Sequence, residues 1–203
     1  MISDHNQTAL MDDVMFKFQP AQEDFAEVVR TRRTVHEFLD TPVDIATILQ
    51  AIDLARWAPN HKLTEPWTFH ILGPQSVRQL IDLNESLIAV EKGEEAARKK
   101  MARWSQIPGW MIVTCRKSSD PIRNEENYAA VCCALQNLML FLWSRKVGTK
   151  WATSHFLQHP QVAKTLDIES ATERIVGMIW YGYVASRSES RRRPVPEITV
   201  FHP

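Results

Sequence analysis

"RIVGMIWYGYV", residues 174–184, is apolar at almost every position. A strand with one wet face alternates apolar and polar residues, whereas a strand covered on both faces reads as a continuous apolar run. The stretch is therefore read as a central strand with protein on either side, and the rest of the chain must supply the cover.

The flanking segments fit that role. "ENYAAVCCALQNLMLFLWSRKVG" (126–148) is apolar nearly all round, the pattern of a helix enclosed on most sides. Gly148 is expected at its C′ position, after Arg145 and Lys146. Cys132 and Cys133 lie on this helix and read as buried, inert packing thiols.

"GWMIVTC" (109–115) reads as a second buried strand, and "PWTFHIL" (66–72) as another, ended by Gly73-Pro74. Residues 75–105 form a long charged helical region with Gly93 as a break. A helix capped by Asp44 presents Ile45, Ile48, Leu49 and Ile52 and stops before Pro59. Phe25, Val28 and Val29 mark an earlier helix from about Glu23 to Arg32.

"TKWATS" (149–154) is a short strand or turn, "HPQVAKTLDI" (159–168) a short helix, and "EITVF" (197–201) a possible last strand. Residues 1–20 carry no clear pattern and read as a flexible leader. Residues 21–203 form one domain, with a C-terminal arm from about 185. The expectation is an α/β or α+β domain on one central sheet.

Composition narrows the function. The 203 residues include 24 basic and 24 acidic side chains, so bulk attraction to nucleic acid or an anionic membrane is not indicated. Three cysteines argue against a disulfide framework and for a reducing compartment. The opening "MISDHNQTALMDD" has no secretory pattern, and no apolar run reaches the ~20 residues that span a bilayer. A soluble, cytoplasmic protein is expected.

Glycines stand at 73, 93, 109, 148, 177 and 182, which excludes both the dinucleotide fingerprint and the P-loop. His155 and His159 are four apart, but no glutamate follows the first, so they read as surface histidines and no metal site is assigned. His70, alternating with Trp67 and Phe69 in a strand, reads as structural or exposed.

Four elements remain: "RRTVH" (32–36), "APNHKLTEPW" (58–67), "KWATS" (150–154) and "RRRP" (191–194). Each has an ordinary reading as a helix end, a loop, core aromatics or solvated charge. In this order they resemble the flavin-dependent nitroreductases. Members open with R-R-S-x-R-x-F, here Arg32-Arg33-Thr34-Val35-His36-Glu37-Phe38. A helix ending in A-P and a loop to P-W-x-F follow, here Ala58-Pro59 and Pro66-Trp67-Thr68-Phe69. A strand with spaced glycines and an arginine-bearing tail close the pattern. The likeness runs from about Phe25 to Phe201.

The resemblance implies an α+β fold: a central, mostly antiparallel sheet flanked by helices, in a homodimer whose C-terminal tail swaps onto the partner. It implies FMN at the dimer interface, with Arg32, Thr34 and His36 at the phosphate and Arg33 against the ribityl chain or phosphate. Arg191 or Arg193 would close that site from the tail. Guanidinium forks suit a phosphate because they pair bidentately with its oxygens and keep their charge.

Asn60 and His61, from the second copy, would approach the flavin, and Trp151, Ala152 and Thr153 would line the ring. His36 departs from the family's basic residue, Ser154 from its glycine, and Trp57 from an arginine found in some relatives.

The implied activity is an NAD(P)H oxidoreductase, with hydride passing through flavin N5 to nitroaromatic, quinone or similar acceptors in ping-pong order. That scheme requires no side-chain acid or base, so no catalytic residue is assigned. The alternative is a flavin carrier or sensor with little turnover, closed by Trp57 or Trp104 as a lid. Rapid bleaching of the flavin by NAD(P)H separates the two.

Overall fold

The computed structural model describes residues 22–186 and 189–202, so the proposed leader lies outside the described residues. The chain divides into two units, one ending at Arg32 and the other beginning at Arg33. Helix α1 (Gln22–Thr31) is the described element of the first unit. Its end is tied by Thr31 Oγ1 donating to the Glu27 carbonyl (2.7 Å) and Arg32 N–H to that of Val28 (3.0 Å).

The second unit is built on four strands, β1 (Trp67–Ile71), β2 (Gly109–Arg116), β3 (Val147–Ala152) and β4 (Glu173–Tyr183). Their order is β1-β2-β4-β3, with every neighbouring pair antiparallel. The stretch that decided the fold is thus β4, between two partners, with Ile179 facing Met111 on one side and Trp151 on the other.

Strand alternation sorts the core into two halves. Met111, Val113, Ile179 and Tyr181 face helices α2 (Ile45–Ala55) and α5 (Pro121–Ser144). Trp110, Ile112, Met178 and Trp180 pack with Leu80 and Ile81 of α3 (Pro74–Lys92), Trp104 of α4 (Glu94–Trp104) and Val162 of α6 (Pro160–Thr165). Both faces are covered, which is why β4 tolerates no polar alternation. Leu135, Leu138 and Leu142 of α5 are each 0% exposed, and burial of one such side chain contributes about 1.5–3 kcal/mol.

Local signals behave as expected at several joints. Asp44 caps α2 by accepting from Ala46 N–H (3.1 Å), and Asp120 caps α5 from Ile122 N–H (3.0 Å). Gly93 separates α3 from α4 with φ 88°, a conformation that favours glycine.

Three expectations fail. Gly148 is not a helix C′ residue. Lys146 makes the left-handed turn (φ 63°), and Gly148 lies within β3, where a Cβ would stand 2.4 Å from Val35 Cγ2. "EITVF" is not a strand. Val195–Ile198 makes a 3₁₀ turn, and among the described residues no strand pairs with 199–202, leaving Val200 and Phe201 77% and 91% exposed. Of the paired thiols, Cys133 is exposed and Cys132 half-buried, while Cys115 is the buried one. α5 turns only its core stripe inward, and the two adjacent cysteines sit beside that stripe.

One polar chain crosses the tryptophan-side core. Thr114, 0% exposed, donates to a Glu173 carboxylate oxygen, and its hydroxyl lies 3.3 Å from His70 Nε2. With the Thr114 proton committed to Glu173, His70 Nε2–H is the donor to Thr114. Burial pulls the His70 pKa below its ordinary 6.5, against the opposing pull of Glu173. The fold therefore prefers the neutral ring.

The unfolded chain binds the proton more readily, so this stabilisation is complete above about pH 6.5 and is lost as pH falls through and below that value. The melting temperature should drop between pH 7 and pH 5, and His70→Gln should flatten that slope. An unchanged slope in the variant would place the acid sensitivity elsewhere.

Candidate functional site

The segment after Arg32 runs beside the edge strand β3. Thr34 bridges Thr149 in parallel fashion, and Val35 N–H donates to the Thr149 carbonyl (3.0 Å). Val35, 2% exposed, packs on the bare backbone of Gly148. Thr34 and His36 stay exposed on either side of this anchor. Phe38 then bridges Val184, and Leu39 N–H donates to the Tyr183 carbonyl (2.9 Å). Two elements far apart in sequence, 33–36 and 149–153, thereby become neighbours.

Trp151 points to the α2/α5 side, and its indole Nε1 is buried with no hydrogen-bond partner among the described residues. The indole lies over Gly177, where a Cβ would stand 2.1 Å from Nε1 and 3.3 Å from the Ala152 carbonyl oxygen. Gly177→Ala should therefore displace the ring and cost about 1–3 kcal/mol, as overpacking generally does. A thermal melt and a shift in tryptophan emission check this, and a wild-type melt would show that the ring swings aside freely.

A group of cations that the sequence reading did not single out surrounds this edge. Lys150 Nζ sits 4.8 Å from the Trp180 ring centroid, and Lys100 Nζ 5.4 Å from that of Trp104. The two indoles meet edge to face at 5.5 Å. Burial, then repulsion from Arg103 and Lys100, lowers the Lys150 pKa. Burial, then Arg103 and Lys92, lowers that of Lys100.

His36 is held down first by burial, then by Lys150 and Arg103, with Glu37 opposing. Among the described residues, Lys100, Arg103 and Lys150 make no ion pair with a carboxylate. In sequence, "RKKMARW" reads as an ordinary solvated helix face, and Lys150 lies one residue before a motif whose aromatic draws attention first.

The other nominated residues are placed differently. Asn60 is committed to its own loop: Oδ1 accepts from Glu65 N–H (2.7 Å) and Nδ2 donates to Thr64 Oγ1 (3.0 Å). Thr64 Oγ1 in turn donates to Asn127 of α5 (2.9 Å). Lys62, Leu63 and Glu65 all take positive φ (58°, 51° and 42°), a strained path that needs such anchoring. The loop presents His61, Leu63 (80% exposed) and, just before it, Trp57 (74% exposed) to solvent.

Arg191 and Arg193 lie on the exposed tail, and no hydrogen bond or ion pair among the described residues joins either to 33–36. Trp104 cannot be a lid, because it is 3% exposed in the core, whereas Trp57 keeps the exposure a lid needs. His159 caps α6, its Nδ1 accepting from Gln161 N–H (3.3 Å). Among the described residues no cluster suits a metal ion, and no helix is long and apolar enough to cross a membrane.

An open cavity of about 770 Å³ adjoins Thr153 and Ser154. Its lining includes Tyr128, with the Arg174 guanidinium 4.1 Å from the ring centroid, and Glu173. None of these three was singled out by the sequence, since each is an isolated residue of common type.

Comparisons with known proteins agree with this architecture. A sequence model of the Nitroreductase family matches residues 29–183. YfhC of Bacillus subtilis (strain 168), described provisionally as an NAD(P)H nitroreductase, is 24% identical over 171 residues, 82% of this chain and 88% of that protein. The crystal structure of a nitroreductase-like family protein from Bacillus cereus superposes with a TM-score of 0.78 at 27% identity, covering 88% of this chain and 95% of that one.

A nitroreductase-type protein from Desulfovibrio desulfuricans, crystallised with FMN, shares the fold at TM-score 0.70 and 16% identity, covering 88% and 96%. The class is that of nitroreductase-type oxidoreductases. The chain belongs to the nitroreductase family.

Proposed function

We propose that this protein reduces electron-poor aromatic acceptors, nitroaromatics and quinones, at the expense of NADH or NADPH, as a homodimer in the cytoplasm. The observation that supports the reading best is the group of cations at the 34–36/β3 edge. Lys100 and Lys150, half-buried like charges with no carboxylate partner among the described residues, repel one another, and a bound dianion relieves that repulsion. The edge thus fits the phosphate of FMN.

On this reading Arg32, Thr34 and His36 bind the phosphate, and Arg33 contacts it or the ribityl chain. Arg191 or Arg193 closes over it from the tail. Trp151, Ala152 and Thr153 flank the ring, and Thr153 opens onto the 770 Å³ cavity, which offers space for an acceptor. His61 reaches the flavin of the second copy from its exposed loop. Asn60 approaches through the same loop, which its side chain braces.

Bound FMN would supply two-electron hydride chemistry, taking up and releasing electrons at one ring face, so that donor and acceptor follow each other. The chain's own part is to fix the cofactor, present that face and shield the other.

The test is spectroscopic. Protein saturated with FMN should bleach under anaerobic NADH or NADPH and regain its colour with a nitroaromatic or quinone. Bound flavin that neither nucleotide reduces would instead mark a carrier or sensor.

A further inference from the structure

We propose that Lys150 of β3 is a phosphate ligand of this protein, supplying from the sheet edge the positive charge that His36 does not. The inference rests on the proposed FMN phosphate site at 32–36 and deepens it.

The resemblance places a permanently charged residue where this chain has His36, and a neutral imidazole attracts a dianion far less. The missing charge stands close by in space. The Thr34–Thr149 bridge sets Lys150 beside the 34–36 segment. Its ammonium is not free to drift, because it rests on the Trp180 ring at 4.8 Å. That ring touches Trp104 of α4, on which Lys100 Nζ rests at 5.4 Å.

No carboxylate neutralises Lys150 among the described residues. The carboxylate of Glu37, the acidic residue next to His36, accepts a hydrogen bond from Ser186 Oγ (3.0 Å). An ordinary surface lysine would turn into solvent. This one is laid on an indole beside another cation, an arrangement that a phosphate stabilises and its absence leaves repulsive.

The experiment compares FMN with riboflavin, which lacks only the phosphate, by quenching of flavin fluorescence on titration with protein. Lys150→Met is expected to weaken FMN binding by roughly 10-fold or more, the usual worth of one charge-assisted bond. Riboflavin affinity should stay within about 2-fold, and FMN binding should lose part of its salt dependence. His36→Arg placed in the Lys150→Met protein should recover much of the loss. Near-ultraviolet circular dichroism checks that the tryptophan cluster is intact in each variant.

Equal weakening of FMN and riboflavin would overturn the proposal, since Lys150 would then act through packing alone. So would unchanged FMN affinity in Lys150→Met. Should the wild-type protein itself bind FMN no more tightly than riboflavin, the phosphate site at 32–36 would fall, and this inference with it.

Discussion

Replacing Trp110 by alanine should destabilise the protein by about 3–5 kcal/mol, the usual cost of emptying a large aromatic site in a core. Trp110 is 1% exposed on β2 and is the ring on which the tryptophan-side core closes. Its centroid lies 5.3 Å from that of Trp104 and 5.4 Å from that of Trp180, both edge to face. Its indole N–H is satisfied by the Ile107 carbonyl (3.1 Å).

Truncation would remove those ring contacts and leave a void beside Ile112 and Leu80 that the flanking helices can fill only in part. Whole-domain stabilities are typically 5–15 kcal/mol, so the loss is a large share. Urea unfolding should show a much lower midpoint with a similar slope. Trp110→Phe should recover part of the loss. A midpoint within a few tenths of molar of wild type would mean that this core repacks without cost.

The second large effect concerns the cofactor. Arg32→Ala should weaken FMN binding by roughly 10- to 100-fold, because a hydrogen bond to a charged group contributes about 1.5–3 kcal/mol. Arginine presents two parallel N–H donors to phosphate oxygens, so Arg32→Lys should restore only part of the affinity. The readout is the dissociation constant for FMN, with riboflavin as the control that should not change. A variant that binds FMN as the wild type does would remove Arg32 from the phosphate site and leave the charge to the sheet-edge cations.

The two predictions probe different origins of order. The tryptophan cluster belongs to the scaffold, and disturbing it should shift stability first. It also bears on the site, since Trp180 supports Lys150 and Trp104 supports Lys100. A partial unfolding of this core should therefore loosen the cation group before it alters the 56–65 loop, which is anchored separately through Thr64 and Asn127.

The chain's own pattern determined a good deal. Apolar continuity in "RIVGMIWYGYV" marked a strand buried on both faces, and the structure places it between β2 and β3 with helices on either side. Asp44, Gly93 and the Gly73-Pro74 pair were legible because capping and positive φ depend on a few adjacent residues. The family was legible for a similar reason, since its motifs are short and keep their order.

Tertiary structure decided what joins distant segments. Sheet order, the covering of each face by particular helices, and the meeting of 34–36 with 149–151 depend on pairings between residues far apart, which periodicity does not encode. Lys100 and Lys150 are ordinary in sequence, and only their placement on two touching indoles distinguishes them.

The failed expectations have the same origin. Gly148 looked like a helix end because two basic residues precede it, but the close approach of Val35 to the strand requires glycine there instead. "EITVF" has the composition of a strand, yet a strand exists only where a neighbour takes up its backbone hydrogen bonds.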